Sequence, residues 1–196
     1  MEHAAMGIAA VARLLAPPPA RILVCCGPGN NGGDGYGAAR FLHRWGSPTT
    51  VLQLAPGPPG SDDGRLEHGL CDAQLGVAPL WEHPDAFRDH LGSRPALVLD
   101  ALFGVGVTRA LGSPYLEWIE ALNASGLPVL AVDLPSGLDA DTGRPLPEAI
   151  RAVATATMVA PKPGISPGAP GAAYAGRVVE VDIGLPGTLL EGLRIV

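Results

Sequence analysis

Apolar residues recur along the chain in two rhythms, and the alternation between them lays out the elements. Over residues 1–15, Ala4, Ile8, Val11 and Leu15 fall at i, i+4, i+7 and i+11, the spacing of one helix face. The pattern already runs at Met1 with no capping residue before it, so this helix is expected to lack its beginning; Pro17-Pro18-Pro19 ends it. The continuous apolar run Ile22-Leu23-Val24-Cys25-Cys26 predicts a buried strand at about 21–26. Ala38, Leu42 and Trp45 then predict a helix reaching Trp45. Thr50-Val51-Leu52-Gln53-Leu54 begins about 30 residues after the first strand, the interval of a βαβ unit.

Beyond the loop Pro56-Gly57-Pro58-Pro59-Gly60, Ser61 is placed to cap a helix carrying Leu66, Leu70 and Ala73 on one face. Val77–Leu80 predicts a short strand and 84–91 a short helix. Ala96–Leu99 and Pro128–Val132 predict buried strands. Between them, a helix from about Pro114 packs Tyr115, Trp118, Ile119 and Leu122. A strand near Ala154–Val159, a Pro- and Gly-rich loop over 160–171 and an alternating strand Val178–Ile183, expected at a sheet edge, complete the pattern. Continuous apolar strands alternating with amphipathic helices predict an α/β fold with a mostly parallel sheet covered on both faces. No repeat or linker divides it, so residues 1–196 read as one domain.

Composition narrows the partners. At 47% hydrophobic and 16% charged residues the chain is expected to fold, and its formal charge of −6, with both signs interspersed, offers no basic face for nucleic acid. There is no apolar run long enough for a membrane helix and no signal-peptide pattern. Cys25, Cys26 and Cys71 make no disulfide framework and the five histidines have no metal-ligand spacing, so a cytoplasmic protein with buried free thiols is expected. Twelve arginines stand against one lysine, Lys162, in Pro161-Lys162-Pro163-Gly164.

The chemistry gathers where strands end. In a parallel sheet ligands bind beyond the carboxyl ends of the strands. Three predicted strands lead there into polar turns: Asn30-Asn31-Gly32-Gly33-Asp34, Asp100, and Asp133 with Ser136. Asp34 could simply cap the following helix, whereas Asp100 and Asp133 precede Gly- and Pro-containing loops, which capping explains less well. Carboxylates brought together repel unless they are protonated, hydrogen-bonded or shared with a cation, so a monovalent ion held by hard oxygen ligands is expected. Gly27, Gly29 and Gly32 satisfy G-x-G-x-x-G, but the second strand ends Gln53-Leu54-Ala55, without the acidic residue that holds ribose in a conventional NAD site. Neither G-x-x-x-x-G-K-[ST] nor G-x-S-x-G occurs.

Five motifs in order carry a resemblance: Gly27-Pro28-Gly29-Asn30-Asn31-Gly32-Gly33-Asp34-Gly35, Val98–Gly104, Val132–Gly143, Ala160–Gly164 and Val181–Pro186. Together they are similar to the YjeF N-terminal domain family, the NAD(P)H-hydrate epimerases. The resemblance implies a Rossmann-like three-layer α/β/α sandwich. It also implies interconversion of the R and S forms of hydrated NADH and NADPH at carbon 6 of the nicotinamide ring, so that an ADP- or ATP-dependent dehydratase, in some members fused C-terminally, can restore the cofactor.

Residue by residue, the resemblance implies substrate contacts from Asn30, Asn31, Gly32, Gly33, Asp34, from Gly104-Val105-Gly106-Val107-Thr108-Arg109-Ala110 and from Asp133. It implies one potassium ion per subunit at Asn31, Asp100 and Ser136, and a homodimer. Asp133 is the first choice for general acid/base, followed by Asp34 and then Lys162. Members usually begin earlier than this chain, and Met1-Glu2-His3-Ala4-Ala5 resembles the interior of their first segment, with His3 at an Asn position. The competing expectations are a non-catalytic YjeF-type scaffold module, which would need no polar cluster in a pocket, and an ordinary dinucleotide oxidoreductase.

Overall fold

The computed structural model describes residues 1–81 and 85–186. Helix α1 (Glu2–Leu15) precedes a regular alternation: β1 (Ile22–Cys26), α2 (Asn30–Arg44), β2 (Thr49–Gln53), α3 (Asp62–Leu75), β3 (Ala78–Pro79), α4 (Ala86–Gly92), β4 (Leu97–Ala101), α5 (Tyr115–Ser125) and β5 (Val129–Val132). Strand β6 (Ala154–Met158), a 3-10 turn at Pro163–Ile165, α6 (Ala172–Ala175) and β7 (Arg177–Val181) follow. The expected start of α4 at residue 84 lies outside the described residues, as does the end of the proposed domain, 187–196.

All seven strands are parallel, in the order β3-β2-β1-β4-β5-β6-β7, with β7 at an edge as its alternation predicts. Successive strand residues feed opposite cores, because side chains alternate across a sheet. Ile22, Val24 and Cys26 pack with Ile8, Ala12, Tyr36 and Leu42 beneath α1 and α2, whereas Leu23 and Cys25 join Phe87, Trp118, Ile119 and Leu122 beneath α4 and α5. The result is a three-layer sandwich. The three cysteines are free and buried in these cores, where burial pushes every thiol up, so their part is packing.

Two local expectations are corrected. Asp34 does not cap α2: the helix begins at Asn30 with Gly29 as its N-cap, and Asp34 lies inside it. And α3, capped by Ser61 Oγ accepting from Gly64 N at 3.2 Å, does not bury the Leu66 face. Leu66 is 60% exposed, while Gly64, Glu67 and Cys71 turn inward. The cause is Arg40 of α2, whose guanidinium pairs with the buried Glu67 carboxylate and so compensates a charge that could not otherwise leave water.

A carboxylate cleft at the switch point

The order of the strands reverses between β1 and β4. The chain leaves β1 through α2 on one face and leaves β4 toward α5 on the other, which opens a crevice beyond the carboxyl ends of both strands. A cleft of about 1100 Å³ occupies that place, larger than the roughly 300–1000 Å³ usual for a drug-sized ligand.

The β1–α2 turn forms one wall. A side chain at Gly27 would stand 1.9 Å from the carbonyl oxygen of Leu102, and one at Gly32 would stand 2.1 Å from that of Gly27, so only glycine lets the turn pass this closely to the β4 loop. Asn30, Asn31 and Asp34 line the cleft. Gly32 and Gly33 do not: Gly33 packs instead against Met1 and Gly64. With no side chain capping α2, its first amides are left to the cleft, an arrangement suited to a phosphate or other anion. Asp34 is only 8% exposed. Burial pushes its carboxyl up to about 7, opposed by the Met1 amino group and reinforced by Asp133 and Glu67.

The opposite wall is held differently. Asp133, directly after β5, lies at φ 67°, a left-handed conformation that costs a non-glycine residue energy and clusters at functional sites. Its Oδ1 accepts from the ammonium of Lys162, from Met158 N at 3.2 Å and from Thr157 Oγ1 at 3.4 Å. Lys162 also donates to Thr157 Oγ1 at 3.0 Å and to the Met158 carbonyl at 3.1 Å. The single lysine is therefore largely buried; it lies behind Asp133, outside the cleft lining. Asp133 Oδ2 and Asn31 Oδ1 flank Gly104, at 3.5 and 3.4 Å from where its side chain would begin. The Gly104–Ala110 loop lines the cleft throughout.

Asp100 and Ser136 lie beneath the floor rather than in the lining. The Asp100 carboxylate is wholly buried and accepts from Ser136 N at 2.8 Å, Ser136 Oγ at 2.6 Å and Leu102 N at 3.3 Å. Burial pushes its pKa up to about 6 against those three bonds. The Asn31 side chain in the cleft wall, 7% exposed, has an Nδ2 without a hydrogen-bond partner among the described residues. A side-chain amide can present either its oxygen or its nitrogen at that place. Among the described residues no three His, Cys, Asp or Glu side chains gather as for a transition metal. An amide, a hydroxyl and one carboxylate instead match a hard cation of low charge.

The pattern along the chain missed Phe103, Leu111, Tyr115 and Met158 as lining residues. Tyr115 reads as core in the i, i+3, i+4, i+7 set of α5, and only its place at the first turn of that helix, beside the cleft, could have marked it.

A seven-stranded, Rossmann-ordered sheet with a polar cleft at its switch point defines a Rossmann-like α/β domain. The chain matches the family described as YjeF-related protein N-terminus over residues 1–164, and it belongs to that family. It is 34% identical over 182 residues to an NAD(P)H-hydrate epimerase of Limosilactobacillus fermentum, covering 93% of this chain and 84% of that protein. To an NAD(P)H-hydrate epimerase of Rhodopirellula baltica it is 36% identical, over all of this chain and 78% of the relative. To a bifunctional NAD(P)H-hydrate repair enzyme of Pyrobaculum aerophilum it is 39% identical over 191 residues, spanning 95% of this chain but 37% of that longer protein. The crystal structure of the yeast protein ynu0, YNL200c, shares the fold, with a TM-score of 0.75 over 92% of this chain and 76% of the yeast chain at 22% identity.

Proposed function

We propose that the cleft epimerises hydrated NADH and NADPH at carbon 6 of the nicotinamide ring. The observation that carries this reading is the pairing of two unlike carboxyl groups, Asp34 and Asp133, in one dinucleotide-sized cleft. The names of relatives 34% and 36% identical over the aligned residues support the same reaction.

Epimerisation needs the C6–O bond to break and reform on the other face. Asp34, about half protonated near neutrality, is suited to give its proton to the departing hydroxyl while the N1 lone pair forms the N1=C6 iminium. The adjacent carboxylate of Asp133, anchored by Lys162, stabilises that cation and accepts a proton from the water that returns. Solvent then returns that proton from Asp133 to Asp34, so one water leaves, one adds and both carboxyl groups end the cycle as they began. Unlike environments for two carboxyl groups are the usual means of separating acid and base roles.

The Asn31, Asp100 and Ser136 set fits a monovalent cation, potassium by the family resemblance, because among the described residues the buried Asn31 amide has no partner and the Asp100 carboxylate no cationic one. Such an ion would neutralise Asp100 and hold Asn31 against the ligand. The S product suits an ADP- or ATP-dependent dehydratase, on the same polypeptide or separate. The homodimer belongs to the same proposal; the exposed Met6, Leu14 and Leu15 of α1 offer it apolar surface. Among the described residues no helix is long and apolar enough to cross a membrane.

The test mixes the protein with purified R-hydrate of NADH and follows the S form by chromatography. Acceleration over the spontaneous rate is expected. Its absence would leave a binding module in place of an enzyme.

A further inference from the structure

One side of the cleft carries no catalytic charge. Where the chain turns into α5 the lining is Leu111 and the half-buried rings of Phe103 and Tyr115. The Phe103 and Tyr115 rings meet edge to face with centroids 4.7 Å apart. Behind Tyr115 stand Trp81 at 5.6 Å and Trp118 at 5.5 Å, so its ring is braced from within and presents its remaining surface to the cleft. Burial pushes its hydroxyl pKa up, which keeps it neutral and able to donate a hydrogen bond. A braced aromatic surface at the edge of a polar cleft is a stacking platform for a flat π system.

Resting on the substrate reading above, we propose that Phe103 and Tyr115 form the subsite for the adenine base, which orients the dinucleotide in the cleft. The two ends of a hydrated dinucleotide differ in the property this platform reads. Hydration makes carbon 6 tetrahedral and removes the continuous π face of the nicotinamide ring, whereas adenine remains flat and fully aromatic. The hydrated ring, which becomes cationic during exchange, belongs instead beside the carboxyl groups of Asp34 and Asp133. The α2 amides and Arg109 also border the cleft and would take the pyrophosphate. The platform thus distinguishes a dinucleotide hydrate from a mononucleotide hydrate without touching the reacting carbon.

The experiment compares wild type with Tyr115→Ala, Tyr115→Leu, which keeps apolar bulk without a π face, and Tyr115→Phe, which keeps the ring. Binding of AMP and of nicotinamide mononucleotide is measured by calorimetry, with the fluorescence of Trp81 and Trp118 as a local reporter. AMP should bind wild type with a tryptophan signal, and Y115A should weaken it roughly 5- to 150-fold, the loss of one base–aromatic stack. Y115L should follow Y115A, and Y115F should restore binding. With the hydrates as substrates, the ratio of KM for the dinucleotide to KM for the mononucleotide should rise by the same factor in Y115A. Failure of AMP to bind wild type, or equal weakening of AMP and nicotinamide mononucleotide in both Y115A and Y115L, overturns the subsite. A wild type that binds AMP on Tyr115 but epimerises neither hydrate upholds the subsite and sinks the reaction instead.

Discussion

The turn after β1 and the pair of turns after β5 and β6 both deliver an aspartate to the same cleft, yet they prepare it in opposite ways. Asp34 rides inside a helix, desolvated, and its pKa climbs to about 7. Asp133 stands on a left-handed backbone, gripped by the Lys162 ammonium, the Met158 amide and the Thr157 hydroxyl. The first wall is made of glycines and amides that shape space. The second is an ion pair that supplies charge. Chemistry that must both give and take a proton needs this inequality, because two identical carboxyl groups would compete for one role.

The largest blow to the comparison is Asp133→Asn, which keeps shape and removes charge. R-to-S exchange should fall about 10²- to 10⁴-fold, the usual weight of a general acid or base, with circular dichroism unchanged. Undiminished exchange would move the catalytic role to the other wall. Lys162→Met comes next. It leaves the Asp133 carboxylate without its cation in a place only 11% exposed, at a stability cost of about 3–5 kcal/mol for a broken buried pair. Chemical denaturation measures this, and adding D133N to the same chain should recover much of the loss. If it does not, the pair is not what stabilises that wall.

Smaller effects sharpen the first wall. Asp34 holds its proton to about pH 7 when folded but releases it from the unfolded chain near its ordinary value of 3.8. Between those values the folded state binds more protons, so this contribution is fully present at acid pH and is lost as pH rises toward and through 7. Asp34→Asn should flatten that slope and raise stability at pH 8 by about 1–3 kcal/mol, or roughly 2–4 °C per kcal/mol in Tm. A melting curve as steep in pH for D34N as for wild type would contradict the desolvated state of Asp34. A test of similar size addresses the proposed cation. Replacing choline chloride with potassium chloride should raise Tm by an amount worth about 1–3 kcal/mol if the ion saturates its site, and Asn31→Ala should abolish the difference.

Much of this was legible in the chain. Uninterrupted apolar runs such as Val129–Val132 can only be strands buried on both faces, so a parallel sheet followed from them, and the polar turns at strand ends then had to share an edge. The Leu66 face of α3 was misread because hydrophobic periodicity cannot anticipate an acidic side chain turned inward by an arginine on another helix. The partner of Lys162 was not legible for a related reason: it is 29 residues away, joined only by strand pairing. Tyr115 was read as core because a ring half in the core and half in a cleft has the same spacing as one wholly inside.

The sequence alone determined the βα rhythm, the single lysine and the residue types at each strand end, because these depend on local periodicity and covalent order. Tertiary structure decided which of those groups meet and what surrounds each of them. The loss of water around Asp34, the ammonium beside Asp133 and the sealed bonds around Asp100 exist only after distant turns are brought together. Desolvation and charge pairing are properties of neighbours in space, and they give three aspartates of identical chemistry three different parts.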